Sequence, residues 1–273
     1  MRTTQLSRAI VRAPGASFVA GLTRANLGRP DYQLALSQHA AYCQALENCG
    51  LTLTRLEPDE RFPDSTFVED TAVIAPRLDE SGDSEKRTST AIITRPGAAS
   101  RSGEEQIINQ VLRQLGLEIF EIAPPGTVDG GDICETDDHF FIGISERTSE
   151  AGAGQLADLL SSCGYTSMLV DIRGFDAILH LKSGLAYLGD NRLVVIDALA
   201  TQPAFRHYEL VRVGSDEEYA ANCVRVNDQI LVAAGFPQFE QSLRNLGYKT
   251  IPLRMSEFQK LDGGLSCLSL RFG

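Results

Sequence analysis

The sequence predicts an α/β fold built from repeated strand-strand-helix-strand units. Three segments, ICETDDHFFIGI, LAYLGDNRLVVI and VRVNDQILVAAG, each place a polar turn with Asp or Asn between two apolar strands. The first and the last are followed by a clear helical pattern and by another strand. Units repeated at about 40 to 50 residues are typical of a radial, propeller-like arrangement as much as of an open sheet. Periodicity alone therefore leaves the closure of the fold open.

The individual elements follow from short apolar runs and from helical spacing. Strands are predicted, in chain order, at 9–11, 51–56, 66–75, 90–94, 117–122, 139–144, 166–172, 184–188, 192–197, 223–226, 229–234, 248–253 and in the last segment, LSCLSLRF. Helices are predicted where Leu34, Ala41, Tyr42, Ala45, Leu46 and Cys49 share a face, where Ile107, Ile108, Val111, Leu112 and Leu115 do, and at 150–163 and 237–246.

Nothing in the sequence divides the chain into separate domains. The polar stretch RLDESGDSEKRTST (77–90) is bounded by strands, so it is predicted to be a surface hairpin loop rather than a linker. With 273 residues, of which 43% are hydrophobic, the chain can bury roughly three quarters of its unfolded surface. We expect residues 1–273 to form a single catalytic domain.

Composition excludes several classes of partner. The formal charge of -11 argues against nucleic acid, whose binding depends on Lys and Arg neutralising phosphates. No segment approaches the ~20 apolar residues of a membrane helix, and the N-terminus has no signal-peptide pattern. The six cysteines include no CxxC pair, which indicates free thiols and no structural zinc site. We expect a cytoplasmic protein that binds neither nucleic acid nor membrane.

Cys267 lies in the predicted last strand, just after a Gly263-Gly264 step. A free cysteine is often only a small buried hydrophobe, whereas a thiolate nucleophile needs a histidine base and an acidic partner. His180, in DAILHLKSG, is flanked by apolar residues at the end of a strand pattern, where it is either a satisfied core histidine or that base. The other three histidines, His39, His139 and His207, are most simply solvated or half-buried.

Two acidic segments could complete such a site. Asp129 and Asp132 flank two glycines in PPGTVDGGDICE, where a capped turn or a carboxylate that orients an imidazole would both fit. Asp64, Glu69 and Asp70 lie at the entry of an apolar strand, in which Glu69 and Asp70 would point to opposite faces. Burying a carboxylate without a partner is costly, and a cationic ligand would supply that partner.

Two arginines stand where predicted strands give way to loops or helices. Arg95 lies in IITRPGAASR and Arg147 in GISERTSEAG. Single arginines at such positions are usually surface charges, but a planar guanidinium is well suited to binding a carboxylate through two hydrogen bonds. If both shared a pocket with the acids, the pocket would suit an amino acid with a cationic side chain.

Taken together, the motifs are similar to those of a known family. FPDSTFVEDTAVI, ITRPGAASR, VDGGDI with GISERT downstream, ILHLKSGLAYL, YAANCVRVN and LDGGLSCLSLRF resemble the dimethylarginine dimethylaminohydrolases in their short bacterial form. These enzymes belong to the guanidine-modifying pentein superfamily. The resemblance covers essentially the whole chain. It implies five strand-strand-helix-strand units around a pseudo-fivefold axis, with the site in the central channel.

The resemblance also implies a reaction, the hydrolysis of Nω-methylated L-arginine to L-citrulline and a methylamine, without metal or cofactor. It makes Cys267 the nucleophile, His180 the general acid and base, and Asp129 the acid that orients His180. Some family members have Glu at the position of Asp129. The Asp129 side chain is one methylene shorter than that of Glu. The remaining matched positions bind substrate or order the site: Leu22 in the AGLTRANLG lid and Leu261 through backbone carbonyls, Phe67 as a wall, Asp64, Glu69 and Asp70 at the guanidinium, and Arg95 and Arg147 at the α-carboxylate.

Three alternatives stay open at this point. An arginine deiminase or a citrulline hydrolase of the same superfamily would use similar residues, although typical deiminases carry an additional helical module for which 273 residues leave little room. A non-catalytic pentein that serves as a binding module would not need Cys267, His180 and Asp129 together.

Family precedent allows a homodimer, and the expected partner is a small-molecule substrate.

Overall fold

The computed structural model describes residues 5–76, 89–175 and 177–273. Its strands are β1 (Arg8–Arg12), β2 (Thr52–Leu56), β3 (Ala72–Pro76), β4 (Ser89–Ile93), β5 (Glu118–Glu121), β6 (Ile133–Glu135), β7 (His139–Ile144), β8 (Thr166–Asp171), β9 (Leu185–Gly189), β10 (Arg192–Ile196), β11 (Glu209–Val213), β12 (Val224–Val226), β13 (Gln229–Ala233), β14 (Lys249–Leu253) and β15 (Leu270–Phe272). The helices are α1 (Tyr32–Asn48), α2 (Glu105–Gln114), α3 (Glu150–Ser162), α4 (Pro237–Asn245) and α5 (Ser256–Gln259).

The strands of the described ranges form five sheets of three strands each, in the orders β15-β1-β2, β3-β4-β5, β6-β7-β8, β9-β10-β11 and β12-β13-β14. In every sheet the first pair is antiparallel and the second is parallel. The first sheet combines both ends of the chain, because β15 pairs with β1. This arrangement confirms the five-unit architecture.

Helices connect the parallel strands in four of the five units described. In the fourth, the connection from β10 to β11 contains only a short 3-10 helix at Pro203–Phe205. Phe205 is fully buried there and packs edge-to-face against Phe141. The sequence already indicated this difference, because LAYLGDNRLVVI is not followed by a clear helical pattern.

The hydrophobic core runs from unit to unit. One buried cluster joins β1 and β15 to β3 and β4, another joins β3 and β4 to β6 and β7, a third spans β6 to β13, and a fourth joins β12 and β13 to β1 and α1. Helix α1 begins after Asp31, whose carboxylate accepts a hydrogen bond from the Leu34 amide. Its buried face contains Ala35, Tyr42 and Leu46, whereas Leu34 and Ala41 are exposed, contrary to the predicted face.

Several sequence expectations require correction. The predicted strand 66–75 begins only at Ala72, because residues 68–71 form a 3-10 helix, and the last strand begins at Leu270. The apolar composition of both segments predicted extended chain, but in each segment a 3-10 turn bends the backbone before the strand begins. His39 is buried rather than solvated, and burial lowers its pKa to about 4, so it stays neutral.

Two further expectations concern the loop and the membrane. The predicted hairpin loop 77–90 lies mostly outside the described residues, which resume at Ser89, although β3 and β4 on either side are antiparallel. Among the described residues, no helix combines the length and apolar composition that crossing a bilayer requires.

Candidate active site

Cys267 lies in a short 3-10 helix, Ser266–Leu268, immediately before β15. The Gly264 amide donates a hydrogen bond to its sulfur over 3.4 Å. The preceding Gly263 lies against the Phe67 ring so closely that a Cβ atom would come within 2.2 Å of a ring carbon. Glycine at this position therefore lets the loop approach Phe67, and the Gly263-Gly264 step serves close packing.

The surroundings of the sulfur favour its thiol form. Burial raises the pKa of Cys267 to about 12, and the carboxylates of Glu69 and Asp70 add to this increase. The Gly264 amide and the Lys182 ammonium oppose it only in part. A bound cation would favour the thiolate, because an opposite charge within a few ångströms stabilises the charged form.

His180 is buried and lies at the start of a 3-10 helix, Leu181–Ser183. Its Nε2 is 3.1 Å from Oδ2 of Asp129, so the shorter aspartate side chain reaches the imidazole. Burial by itself would lower the pKa of His180, but the charges of Asp70 and Asp132 and the hydrogen bond to Asp129 raise it to about 9. The imidazole is therefore protonated at neutral pH.

The two glycines between Asp129 and Asp132 allow this contact. A Cβ atom on Gly130 would lie 2.0 Å from the Glu69 carbonyl oxygen, and one on Gly131 would lie 2.6 Å from Nδ1 of His180. Asp132 fixes the other side of the turn, because its Oδ1 accepts the Leu181 amide hydrogen bond at 3.0 Å. The sequence predicted a bend at these glycines. The structure shows in addition that Gly131, which has no side chain, leaves room for the His180 imidazole.

The three acids of the FPDSTFVED segment have different positions. Asp70 accepts hydrogen bonds from Arg101 at 2.5 Å and from the Gly131 amide at 2.8 Å. Burial opposes ionisation of Asp70, but the positive charges of His180 and Arg101 outweigh it and lower its pKa. Asp64 accepts the Leu22 amide at 3.0 Å, and burial raises its pKa. Both carboxylates line the cavity that contains Cys267.

Glu69 points away from that cavity and lines a larger space of about 660 Å³ between β3, β6, β9, β12 and β15, which is the central channel. The resemblance implied a site in this channel, but Cys267, His180 and Asp129 line the separate, smaller cavity. Its carboxylate pairs with Lys182 at 2.6 Å and with Arg271 at 3.2 Å, and it accepts the Ser266 hydroxyl at 2.7 Å. The expectation that Glu69 and Asp70 face opposite sides is therefore correct in outcome, although a 3-10 helix produces it instead of a strand. Glu69 can order the site but does not reach its cavity.

Most of the predicted residues come together around one small cavity. Its lining consists of Leu22, Asp64, Phe67, Asp70, Arg101, Asp129, Arg147, Leu179, His180, Leu261, Asp262, Gly263 and Cys267. Arg95 is not part of this lining: its side chain is exposed and donates a hydrogen bond to the Gly126 carbonyl. Its backbone forms an isolated bridge with Val128, the residue before Asp129.

The AGLTRANLG segment covers the cavity. The Arg24 amide donates to Asp262 at 2.6 Å, and the Arg24 guanidinium pairs with Glu146. The cavity is small, about 30 Å³, and is partly open to solvent. Leu22 is part of its lining, so a ligand bound there would contact this segment directly.

Sequence reasoning missed Arg101 and the charges around it. Arg101 is buried, and its guanidinium joins Asp70 to Glu104, which it contacts at 2.8 Å. The residue ends the ITRPGAASR motif, but a lone arginine in a polar loop gives no sign of burial. The position becomes favourable only when the distant carboxylate of Asp70 joins that of Glu104, three residues away, around the guanidinium.

One group of side chains in the described residues has the arrangement of a metal site. Ligand atoms of Asp70, Asp129 and His180 lie within 4.8 Å of one another. These groups already have protein partners, because Asp129 bonds His180 and Asp70 bonds Arg101 and Gly131. With an imidazolium and a guanidinium in place, the carboxylates are neutralised without a metal ion.

The arrangement can perform nucleophilic substitution at a cationic carbon. A thiol, a protonated imidazole and two carboxylates line one cavity, and the imidazole is oriented by a third acid. This is the nucleophile, acid-base and orienting group that covalent catalysis requires. The carboxylates would hold a planar cation in front of the sulfur.

Comparisons with known proteins agree with this chemistry. A family model described as arginine deiminase matches residues 106–234. The chain is 43% identical to the N(G),N(G)-dimethylarginine dimethylaminohydrolase of Pseudomonas aeruginosa, over 96% of this chain and 98% of the relative.

Two solved structures titled as dimethylarginine dimethylaminohydrolases are also similar. One, from Pseudomonas aeruginosa, is a cysteine-to-serine mutant in complex with citrulline, and the other is a histidine-to-glycine variant as an adduct with S-methyl-L-thiocitrulline. Each superposes with a TM-score of 0.91 at 42% identity, and each match covers 98% of this chain and 100% of the other. The predicted pentein fold is thereby confirmed.

Proposed function

Since this chain belongs to the dimethylarginine dimethylaminohydrolase family, we propose that it hydrolyses Nω-methylated L-arginine to L-citrulline and a methylamine. Asymmetric dimethylarginine and monomethylarginine are the expected substrates. The observation that carries the proposal is the convergence of Cys267, the His180–Asp129 pair and Asp70 on one cavity.

Substrate binding follows from the charges around the cavity. Asp64 and Asp70 would hold the guanidinium, and Phe67 would form a wall against its flat face. Arg147 lines the cavity and can bind the α-carboxylate. Arg95 would have to leave its contact with the Gly126 carbonyl to join it. The backbone carbonyls of Leu22 and Leu261 would accept hydrogen bonds from the α-ammonium. Glu69 would act indirectly, through its contacts with Ser266 and Lys182.

The first chemical step is attack of the Cys267 thiolate on the guanidinium carbon. Charge delocalisation makes this carbon resistant to nucleophiles, so much of the catalysis lies in holding it in line with the sulfur. The bound cation favours loss of the thiol proton. As the carbon–nitrogen bond breaks, His180 donates its proton to the departing amine, and a covalent thiouronium intermediate remains.

The second step releases the product. A water molecule takes the place of the amine, and His180, now neutral, accepts its proton. The resulting hydroxide adds to the thiouronium carbon. The carbon–sulfur bond then breaks as the added hydroxyl loses its proton to solvent and becomes the citrulline carbonyl, and Cys267 is again a thiolate. Asp129 keeps the imidazole in one orientation through both proton transfers. No step requires a cofactor.

The two perturbed pKa values predict the pH dependence of kcat/KM. Reaction requires the Cys267 thiolate together with protonated His180, whose pKa values in the empty site are about 12 and about 9. Between about pH 7 and pH 9 the imidazolium persists while the thiolate fraction grows about tenfold per unit, so kcat/KM should rise. Above about pH 9, loss of the His180 proton cancels the further gain. The measurement is a series of steady-state assays from pH 6 to 10. A kcat/KM that stays flat, or that decreases as the pH rises from about 7 to about 9, would contradict the prediction.

The match to the arginine deiminase model makes unmethylated arginine the second candidate substrate. A citrulline assay of the purified protein with asymmetric dimethylarginine and with arginine, side by side, separates the two. We expect kcat/KM for dimethylarginine to be higher by about tenfold or more, the discrimination that a methyl group can provide. A preference for arginine would assign the chain to deiminase chemistry instead.

We further propose that residues 1–273 work as one cytoplasmic catalytic domain on a small-molecule substrate, without nucleic acid or membrane. The core clusters that join neighbouring units support a single domain. Family precedent supports a homodimer.

A further inference from the structure

We propose that Asn222 is a positioning residue that holds the turn carrying Cys267 against the turn carrying His180. The inference rests on the proposed function, because it assigns to Asn222 the alignment of nucleophile and acid in that reaction. Asn222 is buried and lies just before β12, and its side chain does not line the cavity.

The side-chain amide of Asn222 bonds to both turns. Its Nδ2 donates to the Lys182 carbonyl oxygen at 2.9 Å and to the Ser266 hydroxyl at 3.1 Å. Its Oδ1 accepts the Ser266 amide at 2.9 Å. Lys182 is two residues after His180 within one 3-10 helix, and Ser266 immediately precedes Cys267. One amide therefore links the 3-10 turn that follows His180 to the turn that carries Cys267.

A second connection closes a ring of hydrogen bonds behind the site. Glu69 accepts the Ser266 hydroxyl at 2.7 Å and the Lys182 ammonium at 2.6 Å. Asn222, Ser266, Glu69 and Lys182 thus form a closed polar network at the central channel. Linked hydrogen bonds in a buried environment strengthen one another, so loss of one member loosens the others.

Asn222 also contacts the backbone that supports the sulfur. A Cβ atom on Gly264 would lie 2.4 Å from Cγ of Asn222, so glycine at this position lets the loop settle against the amide. The same Gly264 donates its N–H to the Cys267 sulfur. Movement of the Asn222 side chain would therefore reach the nucleophile through Gly264 as well as through Ser266.

An amide is required because the position needs two donors and one acceptor together. Aspartate has nearly the same shape, but when ionised it has no donor for the Lys182 carbonyl or the Ser266 hydroxyl. It would also place a second negative charge next to Glu69. Misplacement of reacting groups by about 1 Å can reduce the rate roughly 100-fold. The effect should fall on kcat, since Asn222 does not line the binding cavity.

The test compares Asn222→Asp with a matched control, Asn227→Asp. Asn227 lies at the next turn, and its side chain also makes three hydrogen bonds, at 2.9 to 3.0 Å, to backbone atoms of Leu6 and Cys49 away from the site. For Asn222→Asp we expect kcat for dimethylarginine to fall about tenfold or more, while the Kd of citrulline, measured by calorimetry, stays within about threefold. Asn227→Asp should change kcat by less than about twofold, even where thermal stability falls.

Each outcome decides the question. The inference is overturned if kcat of Asn222→Asp stays within about twofold of wild type. It is also overturned if the Kd of citrulline weakens as much as kcat falls, or if Asn227→Asp loses as much kcat as Asn222→Asp. If Asn222→Asp does not fold, as judged by circular dichroism, Ser266→Ala decides, because it removes the hydroxyl between Asn222 and Glu69. A loss of about threefold or more in kcat supports the role, and an unchanged kcat refutes it. A wild-type protein that releases no citrulline would instead refute the proposed function.

Discussion

Cys267→Ala is expected to abolish citrulline release while the protein stays folded. The variant has no thiolate to attack the guanidinium carbon, and water is a far weaker nucleophile than a thiolate. We expect at least a thousandfold loss, roughly the scale seen when a covalent nucleophile is removed. The loss of one half-buried sulfur should cost stability only on the order of 1 kcal/mol.

The matched control is Cys49→Ala, at the C-terminal cap of α1. Cys49 is half-buried like Cys267, but it packs against the core away from the cavity. Citrulline assays and circular dichroism of both variants make the comparison. If Cys267→Ala retained even a tenth of wild-type activity, another residue would have to be the nucleophile.

His180→Gly is expected to change which leaving groups the enzyme can expel. An amine leaves only when protonated, so turnover of dimethylarginine should fall by about a thousandfold or more. A thiolate can leave without a proton, so cleavage of the carbon–sulfur bond of S-methyl-L-thiocitrulline, an isothiourea, should lose much less in its first step. Release of methanethiol and of citrulline are the two measurements.

His207→Gly provides the control, because His207 is exposed and does not line the cavity. It should leave both activities near the wild-type level. If His180→Gly lost activity equally on both substrates, His180 would have a different role from protonation of the leaving group. Loss of the fold would show as a changed circular dichroism spectrum, which separates a structural effect from a chemical one.

The sequence predicted the individual helices and strands better than the way in which the units close into one fold. Amphipathic spacing located α2 and α3, and apolar runs located most strands, because both patterns depend on near neighbours. Closure depended on the pairing of β1 with β15, which links the two ends of the chain and leaves no local pattern. The segments before β3 and β15 were predicted as strands because apolar composition does not distinguish a strand from the 3-10 turn that precedes it.

The site divides in a similar way. The resemblance proposed Cys267, His180 and Asp129, and the structure places all three around one cavity. Neither the burial of Arg101 nor the outward position of Arg95 could be inferred, because both depend on contacts between residues distant in sequence. The elevated pKa of His180 is also a property of the assembled site, since Asp70 and Asp132 produce it from separate segments.

The pairing of β15 with β1 has a consequence for biosynthesis. β15, the strand that completes the first sheet, is synthesised after every other strand described, and Cys267 emerges just before it. Until then β1 has an unsatisfied edge, which in a nascent chain can recruit other strands. Contacts between such distant residues also slow maturation. Synthesis of β15 and assembly of the reactive centre are therefore close in time, and a nascent chain that has not yet reached Cys267 carries no working catalyst.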